Sequence, residues 1–127
     1  MRKAFALGQP PHKYHARPIV WRGEHFDSTG EFTRYRELVI LEQNGYIRQL
    51  RRQVDYILHV SGLGGPVPIG SWRADFTYEE RVQDALLMTW PLIVEDFKGV
   101  VTPLYAWKKH HVEAEYGFRI RETGRHG

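Results

Sequence analysis

The chain contains no cysteine. Disulfides and thiolate-ligated zinc are therefore excluded. It also lacks any apolar run approaching the roughly 20 residues of a membrane-spanning helix. Its basic N-terminus carries only Ala4-Phe5-Ala6-Leu7 as an apolar stretch, too short for the core of a secretory signal. These absences predict a soluble, cytoplasmic protein with no membrane partner. A P-loop is missing as well, because the glycine-rich stretch from Gly62 to Gly70 has no Gly-Lys-Ser/Thr ending. His110-His111 does not make a metal pair either, since neighbours on a helix diverge by about 100°.

What is present suits one globular domain. The chain has 127 residues, 42% hydrophobic and 13% aromatic, enough for a real core and against disorder. Its net charge is only +3, but the charge is unevenly spread. Residues 1–36 hold seven Lys/Arg against three Asp/Glu, whereas residues 72–98 hold three against six. Residues 108–127 return to five against three, with three histidines. Basic flanks around an acidic centre fit a protein that binds a polyanion and holds cations in the middle. An ordinary solvated surface is the competing reading.

Hydrophobic periodicity and turn residues divide the chain as follows. Residues 1–16 form a basic arm, 17–122 the domain and 123–127 a tail. Arg17 to Trp21 reads as a short strand ending in a turn at Arg22-Gly23-Glu24. Ser28 with Glu31 makes a capping box that opens a helix, and Asn44-Gly45 closes it. Ile47 to Val60 reads as a long strand. Ser61 to Gly70, rich in Gly and Pro, reads as a hairpin loop. Trp72 to Glu79 is a second strand, Arg81 to Met88 a wide turn or one helical turn, and Thr89 to Phe97 a third strand. Pro91 marks a bulge or an unpaired start in that run. Pro103 suits the first turn of a second helix, whose inner face is expected to carry Leu104, Trp107, His111 and Ala114. Tyr116-Gly117 ends it, and Phe118 to Arg121 forms a last strand. Helix, three strands, helix and strand predict a mixed α/β sheet flanked by helices.

The apolar run Pro91-Leu92-Ile93-Val94 ends in Glu95-Asp96-Phe97-Lys98. Residues two apart on a strand share a face, so Asp96 and Lys98 emerge side by side while Glu95 points the other way. Partly buried charges are costly unless paired or bound to a metal. Asp75, in Arg73-Ala74-Asp75-Phe76, converges on Asp96 if strands two and three pair as a hairpin. Oxygen-only ligands of this kind suit Mg²⁺ bound through one or two carboxylates and a substrate phosphate. Lys98 could orient a water or stabilise charge on phosphorus. Each residue also has a bland role. Glu31 completes a cap, Asp75 could pair with Arg73, and Asp96 with Lys98 could form an edge-strand ion pair. Around them, Arg51, Arg52 and Gln53 on the first long strand point toward the site, contact phosphate or occupy a plain edge. Lys108 or Lys109 could reach a phosphate oxygen. Arg34 and Arg36 could line a DNA channel or solvate their helix.

In this order, the segments Phe26-Asp27-Ser28-Thr29-Gly30-Glu31-Phe32-Thr33-Arg34-Tyr35, Ala74-Asp75-Phe76, Val94-Glu95-Asp96-Phe97-Lys98-Gly99, Thr102-Pro103, Lys108-Lys109 and Glu115-Tyr116-Gly117 resemble the PD-(D/E)XK nuclease superfamily. They are most similar to its small phage and prophage endonucleases, of Holliday-junction-resolvase type. The resemblance implies a restriction-endonuclease-like core of αβββαβ order. It implies Glu31, Asp75, Asp96 and Lys98 as catalytic residues. It also implies a metal held by Asp75, Asp96, the Phe97 backbone carbonyl and Glu31, with Mg²⁺ replaceable by Mn²⁺. Arg34, Arg51, Arg52, Gln53, Lys108 and Lys109 are the expected nucleic-acid contacts. The implied activity is endonucleolytic hydrolysis of DNA, with branched or single-stranded phage DNA as substrate, in the bacterial host cytoplasm if phage-encoded. Ala74 stands where the superfamily commonly has Pro. One chain supplies one active site, so cutting two strands calls for a homodimer. The alternative is a non-catalytic nucleic-acid-binding module on the same fold.

Overall fold

Arg22 and Gly23, both at positive φ (52° and 80°), reverse the chain between two short strands. These are β1 (Ile19–Trp21) and β2 (Glu24–Phe26), paired antiparallel with Trp21 opposite Glu24. The structure, a computed structural model, describes residues 19–98 and 101–124. The expected basic arm and the end of the tail lie outside them. The chain divides into two compact units, Met1–Glu37 and Leu38–Gly127.

In the first unit, Phe32 and Tyr35 from the start of helix α1 (Thr29–Gln43) stack edge-on or tilted against Trp21 and Phe26. The expected cap is present, since the Glu31 N–H donates to Ser28 Oγ at 3.1 Å. Helix α1 continues into the second unit and stops as its sequence predicts. Gly45 takes φ +78°, and the Tyr46 N–H returns to Leu41 O at 2.9 Å, closing the last turn.

The second unit is built on a four-stranded mixed sheet in the order β3-β4-β7-β8. Strands β3 (Ile47–Gly62) and β4 (Gly65–Glu80) are antiparallel, β7 (Leu92–Phe97) is antiparallel to β4, and β8 (Ile120–Thr123) is parallel to β7. The parallel step needs a crossover, which helix α2 (Pro103–Tyr116) provides. Thr102 caps α2 by accepting the Tyr105 N–H, with Pro103 in the first turn. Gly117, left-handed at φ 80°, ends it. Glu113 Oε2 then accepts the Ile120 N–H at 2.7 Å, tying the helix end to the start of β8. Leu58, Trp72, Ala74, Val94, Val112 and Ile120 form the core, with Tyr56 and Phe118 packed against it.

Five expectations are corrected. Residues 61–70 are mostly strand, because only Leu63 and Gly64 make the turn. Pro68 is tolerated there opposite His59, whose N–H and carbonyl bond instead to Glu115 and His111. Residues 81–89 are neither a wide turn nor a helical turn. They are a small hairpin of β5 (Val82–Gln83) and β6 (Met88–Thr89), folded by Asp84 Oδ1 accepting the Leu86 and Leu87 N–H groups. The third strand begins at Leu92, with Pro91 outside it. The buried face of α2 carries Tyr105 and Val112, while Leu104 and Trp107 are 64% and 81% exposed. The cap at Thr102 sets the phase of the helix, and that phase turns Trp107 outward. The last strand also runs two residues beyond its expected end, through Thr123.

Candidate active site

Strand register brings the two aspartates together. Thr77 lies opposite Val94 and Phe76 opposite Glu95, so the next step along the same ladder sets Asp75 opposite Asp96. The bond that fixes this end of the pair is made by the side chain itself, since Asp75 Oδ2 accepts the Phe97 N–H at 2.8 Å. The other Asp75 oxygen lies 3.5 Å from Gln53 Nε2 on β3.

Asp96 is buried at 2% exposure. Its Oδ2 lies 3.2 Å from Lys98 Nζ yet has no aligned hydrogen-bond partner. Burial, and then the neighbouring Asp75, push the Asp96 carboxyl up to about 7, with Lys98 opposing the shift. A buried carboxylate oxygen without a hydrogen bond, beside a second carboxylate, is a site that gains from a cation. Among the described residues no group of three or more His, Cys, Asp or Glu side chains is gathered around a metal position. The pair still matches the one or two carboxylates that suffice for Mg²⁺ when waters and substrate phosphate complete its shell.

Strand alternation separates Glu95 from this site, as the sequence predicts. Glu95 is fully buried on the other face, where it accepts from Tyr78 OH at 2.6 Å and Thr123 Oγ1 at 3.1 Å. Arg121 extends that network to Tyr78 and, through two hydrogen bonds, to Glu80.

Two residues beside Asp96 escape the sequence reading. Glu122 pairs with Asp96 across the parallel β7–β8 ladder. Tyr105 donates its hydroxyl to Glu122 Oε2 at 2.7 Å, and its ring centroid lies 4.3 Å from Lys98 Nζ. Burial, the bond to Glu122 and the charge of Asp96 raise the Tyr105 pKa and keep it a donor. Lys109, one helical turn on from Tyr105, lies 3.4 Å from the same Glu122 oxygen. The available signal was the phase from Thr102-Pro103, which sets Tyr105 and Lys109 on one helix face.

The remaining expected contacts are dispersed. Lys108 donates to Ser71 O at 3.0 Å. Arg51 is exposed and, with Arg48 and Gln49, lines a polar cavity of about 530 Å³. Arg52 is half-buried opposite Phe76. In the first unit, Glu31 is 5% exposed, and Arg34 pairs with Glu37 at 3.0 Å on its own helix. Arg36 lies 5.7 Å from the Phe32 ring. Asp75 does not pair with Arg73, which instead bonds Asp55 at 2.7 Å. No described helix is long and apolar enough to cross a membrane.

A family model described as a protein of unknown function, DUF1064, matches residues 11–123. No curated protein and no solved structure matches the chain.

Proposed function

The chain belongs to the DUF1064 family, and we propose that it is a Mg²⁺-dependent endonuclease hydrolysing DNA phosphodiester bonds on a restriction-endonuclease-like core. The observation that carries this reading is the Asp75–Asp96 pair on adjacent strands, with Lys98 at 3.2 Å from Asp96 Oδ2. The αβββαβ order of the elements and the resemblance of the ordered motifs to the PD-(D/E)XK superfamily support it.

Asp75 and Asp96 would hold the cation, with the Phe97 carbonyl as the further ligand in this unit that the resemblance implies. When bound, the cation supplies positive charge for the phosphate and a more acidic water. Lys98 presents its ammonium to the same space and stabilises charge developing on phosphorus, or orients the attacking water. The Tyr105 ring holds that ammonium. Lys109 contacts the backbone phosphate. Branched or single-stranded phage DNA is the substrate class implied by the resemblance. A homodimer supplies two sites where both strands are cut.

A second reading is a nucleic-acid-binding module without catalysis. The lack of a third gathered acid among the described residues favours it. One experiment separates the two. Supercoiled plasmid, a four-way junction and single-stranded DNA are incubated with the protein in Mg²⁺, Mn²⁺ or EDTA. Cation-dependent cleavage of any of them supports the enzyme. Low-salt binding without cleavage supports the module, and neither binding nor cleavage removes both.

A further inference from the structure

Strand β3 contains two non-glycine residues in the left-handed region, Gln49 at φ 59° and Gln53 at φ 55°. They are not equivalent. Around Gln49 the register shifts, because Arg48 pairs with Glu79 but Arg51 pairs with Thr77, so β3 carries one extra residue there. A bulge accounts for the first left-handed residue. No such shift surrounds Gln53. Arg52 pairs with Phe76 and Val54 with Ala74 in one unbroken register, with Gln53 and Asp75 between them. The count of residues does not require a left-handed backbone at this position. A side chain with a Cβ adopts that conformation at a cost, and such residues gather where the surrounding structure uses them.

The side chain indicates the use. Gln53 Nε2 lies 3.5 Å from Asp75 Oδ1, while Asp75 Oδ2 is held by the Phe97 N–H. Together the two donors leave the carboxylate little freedom to rotate. Building on the nuclease reading, we propose that Gln53 is a positioning residue. Its left-handed backbone aims the carboxamide at Asp75, and this fixes the carboxylate for the cation that it shares with Asp96. Partners just outside a metal's ligands commonly fix ligand orientation in this way.

The test compares Gln53→Gly and Gln53→Ala with the wild-type chain. Both variants lack the carboxamide, but only glycine adopts positive φ freely. In an ordinary strand the glycine variant is the less stable of such a pair. Here it melts higher than the alanine variant by several degrees in EDTA. Mn²⁺ titrated calorimetrically binds the glycine variant about tenfold more weakly than wild type. Its kcat for DNA cleavage falls in proportion, while its KM for DNA stays within about twofold. Equal Mn²⁺ affinity in wild type and the glycine variant overturns the proposal while the nuclease reading stands. A glycine variant melting below the alanine variant overturns the strained backbone on which it rests. A wild-type chain that neither binds Mn²⁺ nor cleaves DNA overturns the nuclease reading and this inference together.

Discussion

Asp75 Oδ2 accepts the backbone N–H of Phe97 at 2.8 Å. This bond continues the β4–β7 pairing beyond Phe76 and Glu95 with a side chain in place of a carbonyl. It locks Phe97 between the two charged residues of the motif, with Asp96 beside Asp75 and Lys98 3.2 Å from Asp96 Oδ2. The carboxylate thereby acts as a structural clip for the strand end as well as a proposed cation ligand.

Asp96→Asn separates stability from activity. Neutralising a buried carboxylate removes its desolvation cost and its repulsion with Asp75. The cation-free variant is expected to melt higher than wild type at pH 8, while the rise in Tm on adding Mg²⁺ disappears. Cleavage falls by about 10²–10³-fold or more. Differential scanning fluorimetry with and without Mg²⁺, beside a plasmid assay, reads both effects. A variant that cleaves at the wild-type rate removes Asp96 from the mechanism.

The raised Asp96 pKa gives stability a direction with pH. The folded value of about 7 lies above the unfolded value near 3.9, so between them the native state binds a proton that the unfolded chain has lost. The stabilising contribution is complete below pH 4 and disappears as the pH rises through 7. The Tm difference between wild type and Asp96→Asn in EDTA should therefore widen from pH 5 to pH 8. Added Mg²⁺ should raise the wild-type Tm more at pH 8 than at pH 5. A difference independent of pH would show that Asp96 does not titrate in this interval.

Glu95 provides the contrasting case one residue away. Glu95→Ala removes the carboxylate that accepts from the buried Tyr78 hydroxyl and from the Thr123 hydroxyl. The expected cost is about 1–3 kcal/mol for the loss of these bonds to a buried carboxylate. Urea denaturation should record this loss, with partial recovery in Glu95→Gln, which keeps an acceptor. Cleavage per folded molecule should stay within a few-fold of wild type. A catalytic loss as deep as that of Asp96→Asn would reverse the assignment of the two acids.

Tyr105 holds Lys98 through its ring and Glu122 through its hydroxyl, and two substitutions separate these roles. Tyr105→Phe keeps the ring under Lys98 and should cleave at close to the wild-type rate. Tyr105→Leu removes it and should lower kcat/KM by about three- to tenfold, the equivalent of a cation–π contact of about 0.5–1.5 kcal/mol. Steady-state cleavage of a fluorescent oligonucleotide distinguishes them. Equal loss in both variants would move the role from the ring to the hydroxyl and Glu122.

Gly124 lies at φ 89°, and a Cβ at this position would collide with the Phe97 ring. Gly124→Ala thus carries both backbone strain and a clash against the residue between Asp96 and Lys98. A loss of about 1–3 kcal/mol is expected, together with reduced cleavage as Phe97 shifts. Thermal melts and the plasmid assay test the two effects. Unchanged stability would show that the ring moves aside freely.

Elements whose signals are local were legible in the sequence. The Ser28–Glu31 cap, the Asn44-Gly45 stop, Pro103 at the opening of α2 and Gly117 at its end each act within one turn of backbone. The opposition of Glu95 and Asp96 was legible for the same reason, since it needs only the two-residue period of a strand. The strand pairing that continues through residues 61–70 and the small hairpin after Glu80 were not. In the first, Pro68 is accommodated only because groups from α2 bond to His59. In the second, one Asp84 carboxylate organises the turn. The inner face of α2 was misread because Trp107 is apolar by type, whereas Tyr105 is buried through its position.

For the candidate site, the sequence by itself determined which charged residues end the third strand and which of them share a face, because alternation is a property of a single strand. It also supplied the order of motifs that resembles the nuclease superfamily. The tertiary structure alone decided that Asp75 stands opposite Asp96, because register is set by the whole β4–β7 ladder and by the hairpin between those strands. It alone added Glu122 and Tyr105, which reach Asp96 and Lys98 through the parallel crossover. It alone turned Gln53 toward Asp75, through a left-handed backbone that no residue type announces.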